Sequence, residues 1–322
     1  MKNFFIVNPA AGKGNKMDRL MDQIHDICRE RALPYNIYCT TEVGDASRYV
    51  KTQCEVYASE DRLRFYACGG DGTINEVVNG AVGFSNAEVG IIPIGTGNDF
   101  IRNFGEDKHF FDLEDQMNSE AVACDLLRCN DKYCVNMINI GFDCEVADRT
   151  AQIKRKPMMP SKLAYVAGVA GEFMRMSGVK FRLTMDGEYK GEKKLTLSVF
   201  ANGSFCGGGF RAAPYASPFD GRIDVCFINR VTRVDLINLI GNYKKGDYLL
   251  MEKAADFFEY GRCSEVLLEF DKPQKICIDG EIERCRSLRL SVEKGAVRIV
   301  IPKKAECPYE PIEASPLVEE LV

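Results

Sequence analysis

Gly69-Gly70-Asp71-Gly72-Thr73 is preceded by a short apolar run at 63–68 and followed, over 74–82, by apolar residues at helical spacing. The pattern predicts a strand, a glycine turn and a helix. The first turn of a helix carries unpaired N–H donors and the positive end of the helix dipole, so an anion is favoured there. Glycine lets the backbone approach phosphate oxygens closely and adopt positive φ. Asp71 offers a carboxylate suited to the magnesium of a nucleotide, and Thr73 a hydroxyl suited to capping the helix or bonding a phosphate. An ordinary helix start, with glycines only for the turn, is the plain alternative.

A second turn of the same kind, Gly95-Thr96-Gly97-Asn98-Asp99, follows the apolar run 89–94, with Arg102 three residues beyond Asp99. A third, Asn8-Pro9-Ala10-Ala11-Gly12-Lys13-Gly14, follows residues 4–7. It is not a Walker A loop, because the leading glycine is missing and Lys13 is followed by glycine. Leu20, Ile24 and Ile27 mark a helix, 35–39 alternates like a strand ending at Thr40-Thr41, and 46–54 begins another helix. The resulting βαβαβαβ order predicts a parallel sheet with helices on both faces and a ligand beyond the carboxyl ends of the strands. Asn8, Thr40, 69–73 and 95–99 all fall at those ends and read as one nucleotide site, with a simple loop hydroxyl the equal alternative for Thr40.

Near Leu127 the character changes to short strands broken by turns, at 133–140, 179–185, 194–201, 223–228, 266–270, 275–278, 287–292 and 296–301. Asp186-Gly187 and Asn202-Gly203 supply turn chemistry. An antiparallel β domain is expected, with Asp125 on a strand end just before it. Within it, 161–176 reads as a helix with Leu163, Val166, Ala170, Phe173 and Met174 in one stripe, preceded by Lys154, Arg155, Lys156 and Lys162. Such a helix can dock on anionic lipid or pack its stripe on the sheet. The tail from Ala305 is rich in Pro and Glu and expected to be peripheral.

Composition sets limits on this reading. At 46% hydrophobic and 28% charged, the chain is that of an ordinary folded protein, and no run reaches the ~18 apolar residues of a membrane span. The N-terminus lacks a signal-peptide core. A net charge of −5 argues against general nucleic-acid binding. The 14 cysteines form no CxxC pair and lie apart from the two histidines, so reduced thiols in a cytoplasmic protein are expected and zinc is not.

Taken with GGGF at 207–210, the AP…DG…D run at 213–224 and DGE at 279–281, these strings resemble the catalytic-domain family of diacylglycerol kinases, of the soluble bacterial lipid kinase type. The matches keep family order over nearly the whole chain. The resemblance implies a Rossmann-like three-layer α/β nucleotide-binding domain at 1–128, a β-rich antiparallel sandwich for the lipid substrate at 129–304 and a tail at 305–322, with the active site in the cleft between the domains. It implies ATP as co-substrate, held by Asn8, Pro9, Ala10, Ala11, Gly12, Thr40, Gly70, Asp71, Gly72, Thr73, Ile74, Asn75, Glu76 and Thr96. It implies Mg2+ at Asp71 within an aspartate and water network with Asp99 and Asp125, and a structural Mg2+ held by Asp220 and the carbonyls of Ser217 and Arg222. Glu281 resembles the general base that takes the proton of the lipid hydroxyl, a task suited to a carboxylate whose pKa partial burial raises. For Asp99 a helix cap, and for Asp279-Gly280-Glu281 a plain hairpin turn, are the structural alternatives. The implied partner is a lipid at the cytosolic face of a membrane, visited transiently and without a transmembrane segment. Whether two copies form a homodimer stays open.

Within the resemblance, Asn98-Asp99-Phe100 with Arg102 leans toward diacylglycerol over a sphingoid base, although Ile101 stands where alanine is usual; sphingoid bases, ceramide and phosphatidylglycerol are the alternative acceptors. NAD kinases share the first glycine string but not the downstream ones. A non-catalytic regulator would be marked by loss of the base or metal carboxylate, and both Asp71 and Glu281 are present. A dinucleotide oxidoreductase fails for want of a complete GxGxxG.

Overall fold

The structure is a computed structural model, and it describes residues 1–11, 16–105, 107–154, 161–176 and 178–305. The chain divides into two compact units. The first contains Met1–Leu126, the short Gly207–Gly209 segment and the chain from Glu293. The second contains Leu127–Cys206 and Phe210–Val292.

In the first unit the order is β1 (Lys2–Val7), α1 (Lys16–Glu30), β2 (Tyr35–Cys39), α2 (Asp45–Val56), β3 (Leu63–Gly69), α3 (Asp71–Ala81), β4 (Ala87–Pro93), two 3-10 turns and α4 (Leu113–Asn118). The strands lie parallel in the order β4-β3-β1-β2. β3 and β4 are buried along their whole length, as expected of strands covered on both faces. Phe5, Val7, Tyr66, Cys68, Ile92 and Ile94 project to one face, against Leu20, Ile24 and Cys28 of α1 and Leu113 and Met117 of α4. Gly80 lets α3 approach α2, since a Cβ there would stand 2.6 Å from the Ser47 carbonyl oxygen. A buried Arg64 ties the sheet to α4. Its guanidinium bonds Glu88 at 2.8 and 3.0 Å and the carbonyls of Gln116, Met117 and Ser119 at 3.0–3.2 Å.

β5 (Ala121–Cys129) leads into the second unit, which continues with β6 (Lys132–Cys134), β7 (Met137–Gly141), α5 (Phe142–Lys154), α6 (Ser161–Arg175), β8 (Val179–Met185), β9 (Glu188–Ala201) and β10 (Ile223–Asn229). Then come α7 (Arg233–Lys245), α8 (Ala254–Phe257), β11 (Phe258–Cys263), β12 (Glu265–Ile278) and β13 (Glu281–Val300), whose last residues rejoin the first unit and pair parallel with β4 at Val89. Within the second unit the pairings are antiparallel. β9 and β12 are long strands whose first halves both pair with β8 and whose ends both pair with β7. These four strands therefore close on themselves around a core that includes Ile138, Phe181, Phe200, Leu268 and Ile276. A second apolar layer, with Phe142, Val199, Cys226, Leu239 and Tyr243, joins the outer side of β9 and β10 to α5 and α7.

Several sequence expectations are corrected here. The strand expected over 133–140 is broken at Val135-Asn136, because the amides there bond Asp279 instead of a neighbouring strand. The pairs expected at 266–270 with 275–278, and at 287–292 with 296–301, are continuous in β12 and β13, with the register shift between Glu269 and Gln274 absorbing the polar interruption. Asp125 is the fifth of the nine residues of β5, not a strand end, because β5 starts before the compositional change. Along α6, Ala170 and Met174 are exposed, while Gly168 and Glu172 are buried. Glu172 tolerates that position because Arg149 of α5 donates to it at 3.1 Å. Phe173 is half-buried; the backbone at Leu163, Val166, Lys154 and Lys162 is helical but their side chains are not described, and Arg155 and Lys156 lie outside the described residues. Among the described residues no helix is long and apolar enough to cross a membrane.

Candidate nucleotide and phosphoryl-transfer site

The first unit gathers its glycine turns at the carboxyl ends of β1, β3 and β4. The Asn8 amide donates to the Cys68 carbonyl at 3.0 Å, the Thr40 amide to Val7 at 2.9 Å and the Gly95 amide to Gly69 at 3.1 Å. The four loops expected to share a site are thus knitted to one another by backbone. Asn8 turns its Nδ2 to the Thr73 hydroxyl at 3.1 Å and accepts the Ala10 amide at 3.0 Å, which fixes the chain through Pro9 and Ala10, both exposed. Gly12 falls outside the described residues.

The two glycine turns touch where no side chain would fit. A Cβ at Gly95 would stand 2.5 Å from the Gly70 Cα and 2.8 Å from Asn98 Oδ1. Gly70 is the residue before α3 and gives it no side-chain cap. A Cβ at Gly72, in the first turn of α3, would meet nothing within 4 Å, so the helix N-terminus opens onto free space. Thr73 is buried with its hydroxyl spent on Asn8, and Ile74 is a core residue at 1% exposure that can offer only backbone to a ligand. Asn75 is half-buried and Thr96 exposed.

Around Gly97 two carboxylates approach each other. A Cβ at Gly97 would lie 2.9 Å from Asp71 Oδ2 and 3.7 Å from Asp99 Oδ2. Asp71 Oδ1 accepts the Phe100 amide at 3.1 Å. Asp99 does not cap the turn that follows it; its two oxygens accept the Gly208 and Gly209 amides, each at 2.8 Å. Gly207, Gly208 and Gly209 have φ of 60°, 82° and 103°, a run of left-handed residues that explains the triple glycine. Arg102 stands 3.6 Å from Asp99 and donates to the Gly97 carbonyl at 3.2 Å. Asp125 accepts the Gly295 amide at 2.8 Å.

Glu76, expected among the nucleotide contacts, is engaged elsewhere. Its carboxylate accepts the Gly44 and Ala46 amides at 2.9 and 3.1 Å, a cap for α2 supplied from α3. Beside it, Asp45 accepts from Thr41 and Tyr38 at 2.9 Å each, and the Thr41 amide leads in holding its carboxyl below the usual range.

In the second unit, Asp279-Gly280 makes a two-residue hairpin turn with φ of 46° and 91°, closed by the Ile278–Glu281 pair. Asp279 faces inward and accepts the amides of Val135, Asn136 and Met137 at 2.6–3.0 Å. Glu281 is exposed at the start of β13, not partly buried as expected, since the turn leaves it at the outer end of the hairpin.

Asp220 folds back to accept the Arg222 amide at 3.0 Å. Asp224 is fully buried, with Tyr260 donating at 2.6 Å and Arg262 at 3.1 Å, and burial pushes its carboxyl up to about 6. Arg262 also holds the Tyr215 carbonyl, so the Asp220 loop is fastened at both ends. Sequence reading gave no sign of Tyr260 or Arg262, whose partners lie about forty residues away. The described cysteines are free thiols, most of them buried, and burial raises Cys54, Cys226 and Cys277 to about 12.

Comparison with known proteins places this arrangement. Residues 2–129 match the diacylglycerol kinase catalytic domain, and residues 136–301 match the YegS C-terminal NAD kinase beta sandwich-like domain. A Staphylococcus epidermidis protein named a putative lipid kinase is 29% identical over 259 residues, covering 80% of this chain and 82% of its own. The fold is shared with a crystal structure titled a putative diacylglycerol kinase from Bacillus anthracis, at TM-score 0.72 and 22% identity over 94% of this chain and 98% of that one. A second diacylglycerol kinase structure from that organism gives 0.68 and 20%, over 94% and 97%. The chain belongs to the diacylglycerol kinase catalytic-domain family, and it is a lipid kinase-like phosphotransferase.

Proposed function

We propose that the protein transfers the γ-phosphoryl group of ATP to the free hydroxyl of diacylglycerol or a closely related lipid, giving phosphatidic acid or its analogue. The observation that carries the nucleotide half is the open N-terminus of α3 at Gly72, beside the Asp71 and Asp99 carboxylates that flank Gly97. In this reading the triphosphate lies on the first-turn amides of α3, with Asn8, Thr40, Gly70–Thr73, Asn75 and Thr96 around it. Ile74 contributes backbone only, and Glu76 acts one step back by fixing the loop after Thr40.

The donor chemistry fits Mg2+. Asp71 and Asp99 are hard oxygen donors, and among the described residues no set of three His, Cys, Asp or Glu side chains forms a closed metal cage. Asp71 and Asp99 would hold the ion, and one or two carboxylates suffice for magnesium without such a cage. When bound, it neutralises charge developing on the transferred group. Asp125 is proposed as a third member of this acidic network. Asp220, with the Ser217 and Arg222 carbonyls, offers a second, all-oxygen set for a structural Mg2+.

Glu281 is proposed as the base that takes the proton of the lipid hydroxyl. Asp279 supports it by holding the hairpin turn, so the carboxylate rides on a rigid element. The cytoplasmic location and brief membrane visits expected from the sequence belong to the same proposal.

The test is transfer of labelled γ-phosphate, with magnesium, to mixed micelles of diacylglycerol, sphingosine, ceramide or phosphatidylglycerol, with Glu281→Gln beside the wild type. Label in phosphatidic acid that falls by about 10²–10⁴ in the variant is expected of a lost general base. Label on another lipid changes the acceptor and keeps the chemistry. No label on any lipid, with ATP bound, overturns the kinase reading.

A further inference from the structure

α7 carries two apolar faces, and only one of them is used. Leu239 and Tyr243 are buried in the second unit's outer layer, at 4% and 6% exposure, with Leu236 packed beside them. On the other face Val234, Ile237 and Ile240 are 66%, 61% and 40% exposed. At 3.6 residues per turn these three lie within an arc of about 120°.

The patch extends beyond the helix. Arg233 donates to the Phe173 and Met174 carbonyls at 3.0 and 2.5 Å, which sets the end of α6 and its exposed Met174 beside the start of α7. After Gly246 stops the helix, the 3-10 turn Tyr248–Leu250 packs back with the Tyr248 ring 5.3 Å from that of Tyr243 and leaves Leu250 at 75% exposure. Five of the ten large apolar side chains exposed among the described residues gather here. Scattered exposed apolar residues need no explanation, but a concentration of them on one unit does.

Charge selects the occupant. α7 carries Arg233, Lys244 and Lys245, all exposed, and its one acid, Asp235, is spent in the capping box with Thr232. Asp247 follows just past the helix end. A basic helix on a chain of net charge −5 favours an anionic partner. Two copies joined through this face would set the same cations against one another.

We propose that α7, with Met174 and Leu250, is the surface by which the protein lies on an anionic phospholipid bilayer, its Val234–Ile237–Ile240 stripe in the acyl boundary and Lys244 and Lys245 among the headgroups. The inference rests on the reading of the acceptor as a bilayer lipid.

The experiment uses the full chain in two variants, Val234→Ser/Ile237→Ser/Ile240→Ser and Lys244→Glu/Lys245→Glu, each checked for unchanged circular dichroism and melting. Co-sedimentation with phosphatidylglycerol–phosphatidylcholine vesicles is expected to fall at least tenfold in both, and wild-type binding to fall with added salt. Activity on long-chain diacylglycerol in those vesicles should drop in parallel, while activity on a short-chain diacylglycerol dissolved as monomer stays at the wild-type level. Wild-type partitioning in both variants overturns the proposal. So does a wild-type dimer that dissociates in the serine variant, which would make a second copy the occupant. Vesicle binding that responds as expected in a protein that phosphorylates no lipid leaves this surface standing and removes the kinase reading instead.

Discussion

At the ends of β3 and β4 the first unit shapes its turns by what glycine lacks, whereas the second unit holds its turns with inward-facing carboxylates. Gly70 and Gly95 meet because neither has a Cβ, and Gly97 leaves room between Asp71 and Asp99. Asp279 instead gathers three amides of the β6–β7 break, and Asp224 gathers Tyr260 and Arg262. The difference follows from what each turn must leave available. Backbone donors at a helix N-terminus can serve an anion only if no side chain of the protein has taken them. A hairpin that presents a single carboxylate needs stiffness, and a half-buried aspartate that accepts three amides supplies it.

The largest effect expected from breaking the contrast is at Asp279. Asp279→Ala removes the acceptor for three amides and a residue suited to positive φ, and should lower stability by about 3 kcal/mol or more, given ~1.5–3 kcal/mol for a bond to a charged group. Asp279→Asn keeps the turn conformation but one acceptor oxygen, and should lose about half as much. Calorimetric melting of the two variants measures this. A loss under ~0.5 kcal/mol for the alanine variant would mean that the hairpin holds itself.

Next come two glycines of the first unit, which separate folding from ligand binding. Gly95→Ala drives a Cβ into the Gly70 backbone and should destabilise by ~1–3 kcal/mol while weakening ATP binding. Gly72→Ala meets open space in a helical first turn, so melting should stay the same or rise slightly. If phosphate occupies that space, ATP affinity should nonetheless fall about tenfold, near 1.4 kcal/mol. Titration of a fluorescent ATP analogue reads both. Unchanged affinity in Gly72→Ala would move the triphosphate off the helix N-terminus.

A pH titration tests two desolvated carboxyls of the second unit, Asp224, which is fully buried, and Asp143, which is half-buried. Burial pushes both Asp143 and Asp224 up to about 6. Between pH ~4 and ~6 the unfolded chain has released these protons while the folded chain keeps them, so stability should fall as pH rises through that window and level off above it. Asp143, for which burial is the sole cause, should contribute ~1–3 kcal/mol of this slope. Asp143→Asn should match the wild type near pH 4 and exceed it at pH 7. A variant with the full wild-type slope would remove Asp143 from the account.

The same contrast governs how much could be read from the sequence. The first unit was legible nearly element by element, since its glycine turns and buried strands are local signals: β2 was expected and found at residues 35–39, and the turns at 69–73 and 95–99 lie at the strand ends that the alternation implied. The roles of side chains at long sequence separation were not legible. Nothing near Asp99 says that its oxygens hold Gly208 and Gly209, and nothing near Asp279 says that it faces residues 135–137. α5, α7 and β11 went unseen because the apolar pattern of the second half was read with a period of two. In α7 that pattern is further blurred by apolar residues on the face that the fold leaves uncovered.

Glu76 gives the smallest predicted effect and separates two accounts of one residue. As a nucleotide contact, its loss would strike ATP binding and leave melting alone. As the cap of α2, bonded to the Gly44 and Ala46 amides, its removal in Glu76→Ala should cost about 1 kcal/mol of stability, typical of a removed helix cap. ATP affinity should then shift by less than threefold, through the loop after Thr40 alone. Glu76→Gln preserves one acceptor oxygen and should recover about half of the melting loss. The pair of variants, followed by melting and by nucleotide titration in parallel, decides between the two. A tenfold affinity loss with unchanged melting would return Glu76 to the phosphate site. It would also show that the Gly44 and Ala46 amides hold the start of α2 without the Glu76 carboxylate.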